Sequence, residues 1–208
     1  TVGYPGIVMR TDDGGQTWLH MNAYFDGWLR SVHFTDPARG WVAGQNGTIL
    51  HTADSGKVWT RQATPISGEL RSLYVLPDAE QGYAVGDHGT ILHTENGETD
   101  WTLQASGLTD TLNSVFFLDS EEGWIAGQNG TILHTTNGGA LWEKLESGTS
   151  QWLSDISFSD ADHGWATGPL GIIHTSDGGS TWTRQGITDM SLNALWFTKD
   201  QYGWAVGE

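Results

Sequence analysis

Runs of alternating apolar and polar residues recur five times along the chain. Val32 and Phe34 share one face of the first run, which is the period-two pattern of a β-strand. The opposite faces of later runs carry Tyr74, Phe116 and Trp196, so we expect these strands to be buried on both sides. The five runs span residues 29–34, 70–76, 112–118, 153–158 and 192–197.

Each run belongs to a larger repeating unit. Residues 123–142, with the sequence GWIAGQNGTILHTTNGGALW, contain a strand, a tight turn, a second strand, a second turn and a closing tryptophan. Near-copies recur 39 to 42 residues apart, and residues 43–52 are identical to residues 126–135. Gly and Asn occupy the turns because they tolerate the backbone conformations that tight turns need. The Gly-Trp or Gly-Tyr strand begins at Gly40, Gly82, Gly123, Gly164 and Gly203.

The repeats predict an all-β fold, a five-bladed β-propeller of four-stranded antiparallel blades. We name the strands A to D: the alternating run is A, the Gly-Trp strand is B, and C and D follow. Units of about 42 residues account for residues 1–208 as a single domain.

The chain starts and ends in the middle of a unit. We expect the last A and B strands, in residues 192–207, to pair with the first C and D strands, in residues 7–21, and so to close the ring without an unpaired edge. Residues 2–3 and 206–207 both read Val-Gly at the end of a B strand, so one of these pairs should displace the other.

The turn between strands C and D follows the pattern S/T-x-D-x-G-x-x-W. Asp and Asn in this position cap the turn by accepting hydrogen bonds from backbone N–H groups two residues on, while Gly supplies positive φ. The tryptophan is expected to cover the hairpin. The structural Asp-box residues are Asp13, Asp54, Asn96, Asn137 and Asp177, and the closing tryptophans are Trp18, Trp59, Trp101, Trp142 and Trp182.

These blades resemble the Asp-box, or BNR-repeat, β-propellers of the photosystem II stability/assembly factor-like family, over essentially the whole chain. The resemblance implies a propeller that binds proteins, is not an enzyme and acts outside the cytoplasm, in the periplasm, a lumen or secreted. It also implies a basic binding patch, for which Arg30, Arg71 and Arg10 are the matching residues.

The charge narrows the range of partners. The formal net charge is −16, from 25 acidic and 9 basic residues, which disfavours nucleic acids and anionic membranes. There is no cysteine, hence no disulfide framework. No apolar run approaches the roughly 20 residues of a membrane-spanning helix, and no signal peptide is visible at the N-terminus. We expect a monomer without cofactors.

Two sets of residues suggest metal sites. Asp13, Asp54 and Asp177 could be read as calcium ligands, and His51, His93, His134 and His174 recur at one strand position as zinc ligands would. Both sets place one residue in each blade, so the side chains should be far apart. We therefore interpret the acids as turn caps and the histidines as packed strand residues.

Sialidases also carry Asp-boxes, but they need three arginines and a tyrosine nucleophile. The six arginines leave at most three candidates, and no tyrosine recurs near them. No spacing singles out a carboxylate pair for glycoside hydrolysis. A glycoside hydrolase is thus the least favoured hypothesis.

In a propeller, the D–A and B–C loops share one face and the C–D turns lie on the other. Aromatic residues beside polar groups are typical of binding surfaces, although Trp28 and Trp152 could equally fold under their loops. We predict a partner-binding face for a protein, or alternatively for a glycan stacking on tryptophan and tyrosine. A further alternative is an excised or engineered blade array without a function beyond folding. The predicted binding residues are Arg30, Arg71, Asn113, Asn193, Trp28, Trp152, Tyr24, Asp87 and His88.

Overall fold

A computed structural model describes residues 1–97, 99–186, 190–198 and 202–208. Almost all regular structure in these residues is β-strand, and neighbouring strands pair antiparallel. The chain divides into two compact units. The first consists of Thr1–Asp87 and Ile91–Leu103, and the second of His88–Thr90 and Gln104–Glu208.

The first unit contains three sheets, with strand orders β1-β2-β3, β4-β5-β6-β7 and β11-β10-β9-β8. The strands are β1 (Val2–Gly3), β2 (Ile7–Arg10), β3 (Leu19–Asn22), β4 (Leu29–Phe34), β5 (Gly40–Gly44), β6 (Thr48–Thr52), β7 (Thr60–Gln62), β8 (Leu70–Val75), β9 (Gly82–Gly86), β10 (Ile91–Thr94) and β11 (Thr102–Gln104).

The second unit also contains three sheets, with orders β12-β13-β14-β15, β16-β17-β18-β19 and β20-β21. The strands are β12 (Leu112–Phe117), β13 (Gly123–Gly127), β14 (Thr131–Thr135), β15 (Glu143–Glu146), β16 (Asp155–Phe158), β17 (Gly164–Gly168), β18 (Gly171–Thr175), β19 (Thr183–Arg184), β20 (Leu192–Phe197) and β21 (Gly203–Gly207).

Four sheets have the predicted four-stranded order, and the alternating runs are strands. One of these strands begins late: β16 starts at Asp155, two residues after the predicted start. The reason is that the backbone N–H of Leu153 donates to the carbonyl of Gly127 at 2.9 Å, so this residue bonds outside its own sheet. The structure therefore confirms the strand pattern, and it also ends β8 and β12 one residue earlier than predicted.

The predicted fifth blade is not among the sheets of the described residues. The inner edge of β2 is instead paired with β1, where Val2 lies opposite Val8 and Gly3 opposite Ile7. These are the ladder positions for which the two Val-Gly pairs were expected to compete. Strands β20 and β21 form a sheet of two strands, so closure of the ring stays a prediction.

The recurring histidines pack against the aromatic residue of the neighbouring strand. Trp41 lies opposite His51 in the strand register, with ring centroids 4.7 Å apart, and Trp124 stacks on His134 at 4.8 Å. Buried aromatic rings and the imidazoles thus form cross-strand pairs, which stabilise sheets. Among the described residues no cluster of three or more His, Cys, Asp or Glu could hold a metal ion.

The Asp-box residues cap their turns, although over a longer span than predicted. Asp13 Oδ1 accepts the backbone N–H of Thr17, four residues on, at 2.8 Å. Asp54 and Asp177 make the same bond at 2.9 and 2.8 Å. The bond that spans two residues is made by the preceding threonine hydroxyl, which accepts the N–H of the box residue. Hydrogen bonds from the hydroxyl and N–H of Thr17 and from Thr11 lower the pKa of Asp13 to about 2.

Candidate functional site

In several repeats, backbone hydrogen bonds join the D–A loop to the B–C turn of the same blade. The N–H of Gln45 donates to the carbonyl of Trp28 at 2.9 Å, and the N–H of Asp87 donates to the carbonyl of Glu69 at 3.0 Å. In the second unit the N–H of Gln128 donates to the carbonyl of Thr111 at 2.8 Å. Because the repeats place these loops in register, side chains next to the bonds share the predicted face within each unit.

An aromatic and cationic cluster lies at this face of the first unit. The rings of Tyr4 and Trp28 stack, with centroids 5.0 Å apart and an interplanar angle of 29°. The guanidinium carbon of Arg30 lies 4.7 Å from the centroid of the Trp28 ring, a distance typical of a cation–π contact. Tyr4 and Trp28 are both about half exposed, so Trp28 is not a plug buried under its loop.

Arg30 and Arg71, predicted as a basic spot, are already paired with carboxylates. Arg30 Nε lies 2.7 Å from Glu69 Oε1, and Arg71 Nη2 lies 3.5 Å from Glu69 Oε2. Arg71 Nε also lies 2.8 Å from Asp87 Oδ1. Two cations and two anions alternate, so the cluster carries no net charge. The two arginines of the expected basic patch are thus accompanied by an equal number of carboxylates.

The other predicted residues of the first unit bond to different partners, and His88 directly follows Asp87 in the chain. Tyr24 is highly exposed at a positive φ of 49°, and its N–H donates to Asn22 Oδ1 at 2.8 Å. His88 is exposed at the middle of a tight turn, with a φ of 57°. Arg10 lies beside the first Asp-box turn instead, where it pairs with Asp12 at 2.6 Å.

The predicted residues of the second unit have mixed roles. Asn113 Nδ2 donates to the carbonyl of Leu153 at 2.8 Å, so this side chain joins two blades. Asn193 is exposed on β20. Trp152 is 50% exposed and lines a groove of about 240 Å³ together with Leu170 and Arg184. Trp152 therefore belongs to a surface groove.

Asp155 is a buried carboxylate that the sequence pattern did not single out. It accepts hydrogen bonds from Ser114 Oγ at 2.5 Å, from the N–H of Leu195 at 2.9 Å and from the N–H of Ile156 at 3.0 Å. Burial raises its pKa, and these three hydrogen bonds oppose that shift. The signal was present in the repeats, since strand A carries serine at this position in the first three copies: Ser31, Ser72 and Ser114.

Asp155→Asn should stabilise the protein at neutral pH. A carboxyl group whose pKa is raised by folding destabilises the fold once the pH rises above its unfolded value of about 3.9. The asparagine keeps an oxygen for the N–H of Leu195, gives up the bond from the N–H of Ile156 and removes the buried charge. We expect a higher melting temperature at pH 7, by about 2–4 °C for each kcal/mol gained.

The check is thermal unfolding of both proteins between pH 4 and pH 8. The advantage of Asp155→Asn should shrink towards pH 4, as the wild-type carboxyl takes up its proton. A variant that is less stable at pH 7 than at pH 4, relative to wild type, would contradict this account. Asp155→Ala is the comparison that removes the hydrogen bonds as well.

A second cavity, of about 520 Å³, lies at the Asp-box end of the first unit. Its lining includes Phe34, Trp59 and Arg10, and Arg10 Nη1 donates to the carbonyl of Ser55 at 2.8 Å. The sequence offered one signal for it: arginine replaces, in this copy alone, the histidine that stacks on the Gly-Trp strand in the others.

Among solved structures, the fold matches several β-propellers, each at less than 25% identity. YCF48 bound to D1 peptide is 20% identical, with a TM-score of 0.54 over 100% of this chain and 85% of that one. YCF48 from Cyanidioschyzon merolae is 21% identical, with a TM-score of 0.53 over 99% and 87%. An ancestral GH74 enzyme is 15% identical, with a TM-score of 0.72 over 84% of this chain.

These structural likenesses show a β-propeller fold and nothing more specific. The chain spans only 26% of the GH74 enzyme's length. No curated protein sequence is significantly similar to the chain. In the part of the chain that the structure describes, no helix is long and apolar enough to cross a membrane.

A family model matches the chain in three successive segments, residues 1–65, 64–150 and 140–208. Its description is photosynthesis system II assembly factor YCF48. The matches cover the whole sequence, and they agree with the Asp-box turns and with the four-stranded sheets. The chain belongs to the family of photosynthesis system II assembly factor YCF48, the BNR-repeat β-propellers.

Proposed function

We propose that this protein is a non-catalytic scaffold that binds another protein through its D–A/B–C loops, outside the cytoplasm, during assembly of a membrane-associated complex. Membership of the assembly-factor family supports this proposal. A YCF48 relative has been solved with a bound D1 peptide, which makes a protein segment the favoured kind of ligand. The GH74 likeness concerns the fold and brings no catalytic residues with it.

The observation that carries the proposal is the run of contacts from Tyr4 to Asp87. The Tyr4 and Trp28 rings stack, Arg30 contacts Trp28, and Glu69, Arg71 and Asp87 follow as successive ion-pair partners on one face of the first unit. The side chains of Arg30, Glu69 and Arg71 are 38%, 15% and 36% exposed, so both cations are accessible. Tyrosine, tryptophan and arginine are the residues enriched where binding energy concentrates in protein interfaces.

Replacing Arg30 and Arg71 together by alanine should weaken binding of the native partner tenfold or more, on the order of 1.4 kcal/mol. The variant loses the charge-assisted hydrogen bonds that guanidinium groups make to partner oxygens. Folding should change little, since exposed ion pairs contribute about 0–1 kcal/mol. The measurement is affinity capture from an extract of the source organism, followed by titration with the captured protein.

Lys57→Ala, on an Asp-box turn, is the matched control. It removes one exposed cation from the opposite set of loops and should leave binding unchanged. If Lys57→Ala abolishes binding while the arginine pair has no effect, the binding face is the Asp-box side.

A carbohydrate-binding propeller is the second candidate, because the exposed Tyr4–Trp28 stack resembles a platform for sugar rings. A glycan array distinguishes the two functions. Saturable glycan binding that is lost in Trp28→Ala, with no protein captured, would favour this candidate.

A further inference from the structure

One B–C turn in the second unit differs from the polar turns of three other repeats, at residues 45–47, 87–89 and 128–130. Strands β13 and β14 are joined by Gln128-Asn129-Gly130, and β5 and β6 by the same three residue types. Between β17 and β18 the turn reads Pro169-Leu170. Two polar residues are thus replaced by two apolar ones on the face that we propose binds a partner.

The polar turns hold their D–A loops through the glutamine side chain. Gln45 Oε1 accepts the N–H of Trp28 at 3.0 Å, and Gln128 Oε1 accepts the N–H of Thr111 at 3.4 Å. Proline has no side-chain acceptor, so Pro169 cannot make this bond. The exchange exposes an apolar turn beside the loop that carries Trp152.

The turn and the loop form the walls of the groove of about 240 Å³. Trp152 is 50% exposed and Leu170 is 41% exposed. Pro169, Ile173 and Trp182 complete the apolar lining and are partly buried. This concave apolar surface has the composition of a pocket for an apolar side chain.

The polar groups of the lining are mostly used inside the protein. Ser147 Oγ donates to the carbonyl of Thr149 at 3.2 Å and accepts its N–H at 3.4 Å. Arg184 Nε donates to the carbonyl of Leu170 at 3.0 Å, which leaves the outer guanidinium nitrogens. Within the described residues Arg184 forms no ion pair, and it is the single charged residue of the lining.

We propose that this groove binds a segment of the partner protein that carries a leucine-like side chain next to a carboxylate. The apolar side chain packs between Trp152 and Leu170, and the carboxylate meets Arg184. A sugar needs many free hydrogen-bonding groups, whereas in the described part of this lining only the Gln151 amide and the outer nitrogens of Arg184 are left for a ligand. The chain's net charge of −16 repels strongly acidic segments, so the single cation favours a single carboxylate. The inference rests on the proposed protein-binding function and names the chemistry of the bound segment.

Two small probes test the groove without the native partner. N-acetylleucine presents the side chain and a carboxylate, and N-acetylleucinamide presents the side chain alone. We expect N-acetylleucine to shift the indole N–H signal of Trp152 in a nitrogen–proton NMR spectrum. The amide should bind about threefold more weakly, the effect of one exposed ion pair. Trp28, similarly exposed but beside a polar turn, is the internal control.

The repeats supply the variants. Pro169→Gln with Leu170→Asn copies the turn at Gln128-Asn129 and should abolish the shift of the Trp152 signal. Trp152→Thr copies Thr111 and assigns that signal by its loss. Arg184→Gln should keep binding of both probes and remove the difference between them.

Three results would overturn the inference: an unshifted Trp152 signal, an equal shift of the Trp28 signal, or unchanged binding in the double turn variant. Should the double variant fail to fold, the comparison of the two probes on wild type and Arg184→Gln still decides. The proposed function fails separately, if no protein is captured or if the Arg30 and Arg71 double variant still captures its partner.

Discussion

Replacing Trp59 by alanine should lower the free energy of unfolding by about 3–5 kcal/mol. Trp59 is 6% exposed and belongs to a buried cluster with Val8, Leu29 and Leu50. Its ring also meets the edge of Phe34, with centroids 6.1 Å apart. The substitution removes the apolar contacts of a whole indole and leaves a cavity that the rigid strands cannot fill.

Trp18→Ala is the matched control, because Trp18 closes the first Asp-box in the same motif but is 48% exposed. Much of its ring already contacts water, so we expect a clearly smaller loss. Urea unfolding of both variants measures the difference. Equal losses would mean that the tryptophans act through the turn itself and that burial is not what matters.

Replacing Gly130 by alanine should cost about 2–5 kcal/mol. Gly130 has a φ of 66°, and a Cβ atom there would lie 1.9 Å from the carbonyl oxygen of Thr149. Its N–H donates to the carbonyl of Gln151 at 2.7 Å, so the turn and the following D–A loop cannot simply separate. Left-handed strain contributes about 1–3 kcal/mol, and overpacking adds about as much.

Gly14→Ala isolates the strain from the clash. Gly14 has a similar φ of 72°, but a Cβ atom there would meet nothing within 4 Å. We expect a loss of about 1 kcal/mol for this variant, measured by the same urea titration. If both variants lose the same free energy of unfolding, the clash of the added Cβ atom with the D–A loop contributes nothing to the loss at Gly130.

The strands and turns were predictable because they repeat. A single copy leaves the limits of its strands uncertain. Five copies of the alternating run and of the Asp-box turn distinguish strand from turn at nearly every boundary. The late start of β16 was not visible, since it depends on a bond from Leu153 to the neighbouring blade. The hydrogen bond of the Asp-box acid was also predicted two residues on, whereas it reaches the N–H four residues on. The reason is that turn statistics describe isolated tight turns, and the Asp-box is a longer loop.

The placement of these side chains on one face was predictable, whereas the pairing of the arginines with carboxylates was not. The repeat register placed Trp28, Arg30 and Arg71 at one face. In the structure of the first unit Arg30 contacts the Trp28 ring, and Arg30 and Arg71 share the carboxylate of Glu69. The partner of Arg30 is Glu69, 39 residues away. Only the side-by-side packing of β4 and β8 makes them neighbours, and a count of arginines within one repeat cannot reveal it. Asp155 was missed for the same reason, as its donors come from two other strands.

Under the proposed function, the pairing of Arg30 and Arg71 with Glu69 and Asp87 makes recognition at this face a competition between carboxylates. An incoming carboxylate competes with an internal one that already lies 2.7 or 2.8 Å from the arginine Nε. The gain is the difference between two similar ion pairs, so simple anions such as acetate gain almost nothing and do not occupy the site. A ligand therefore binds tightly only when its other contacts, above all those with the Tyr4–Trp28 stack, supply the binding free energy that the carboxylate does not. Under the proposed function, we expect this face to bind free carboxylates weakly and to bind carboxylates carried on a larger segment that contacts the aromatic stack.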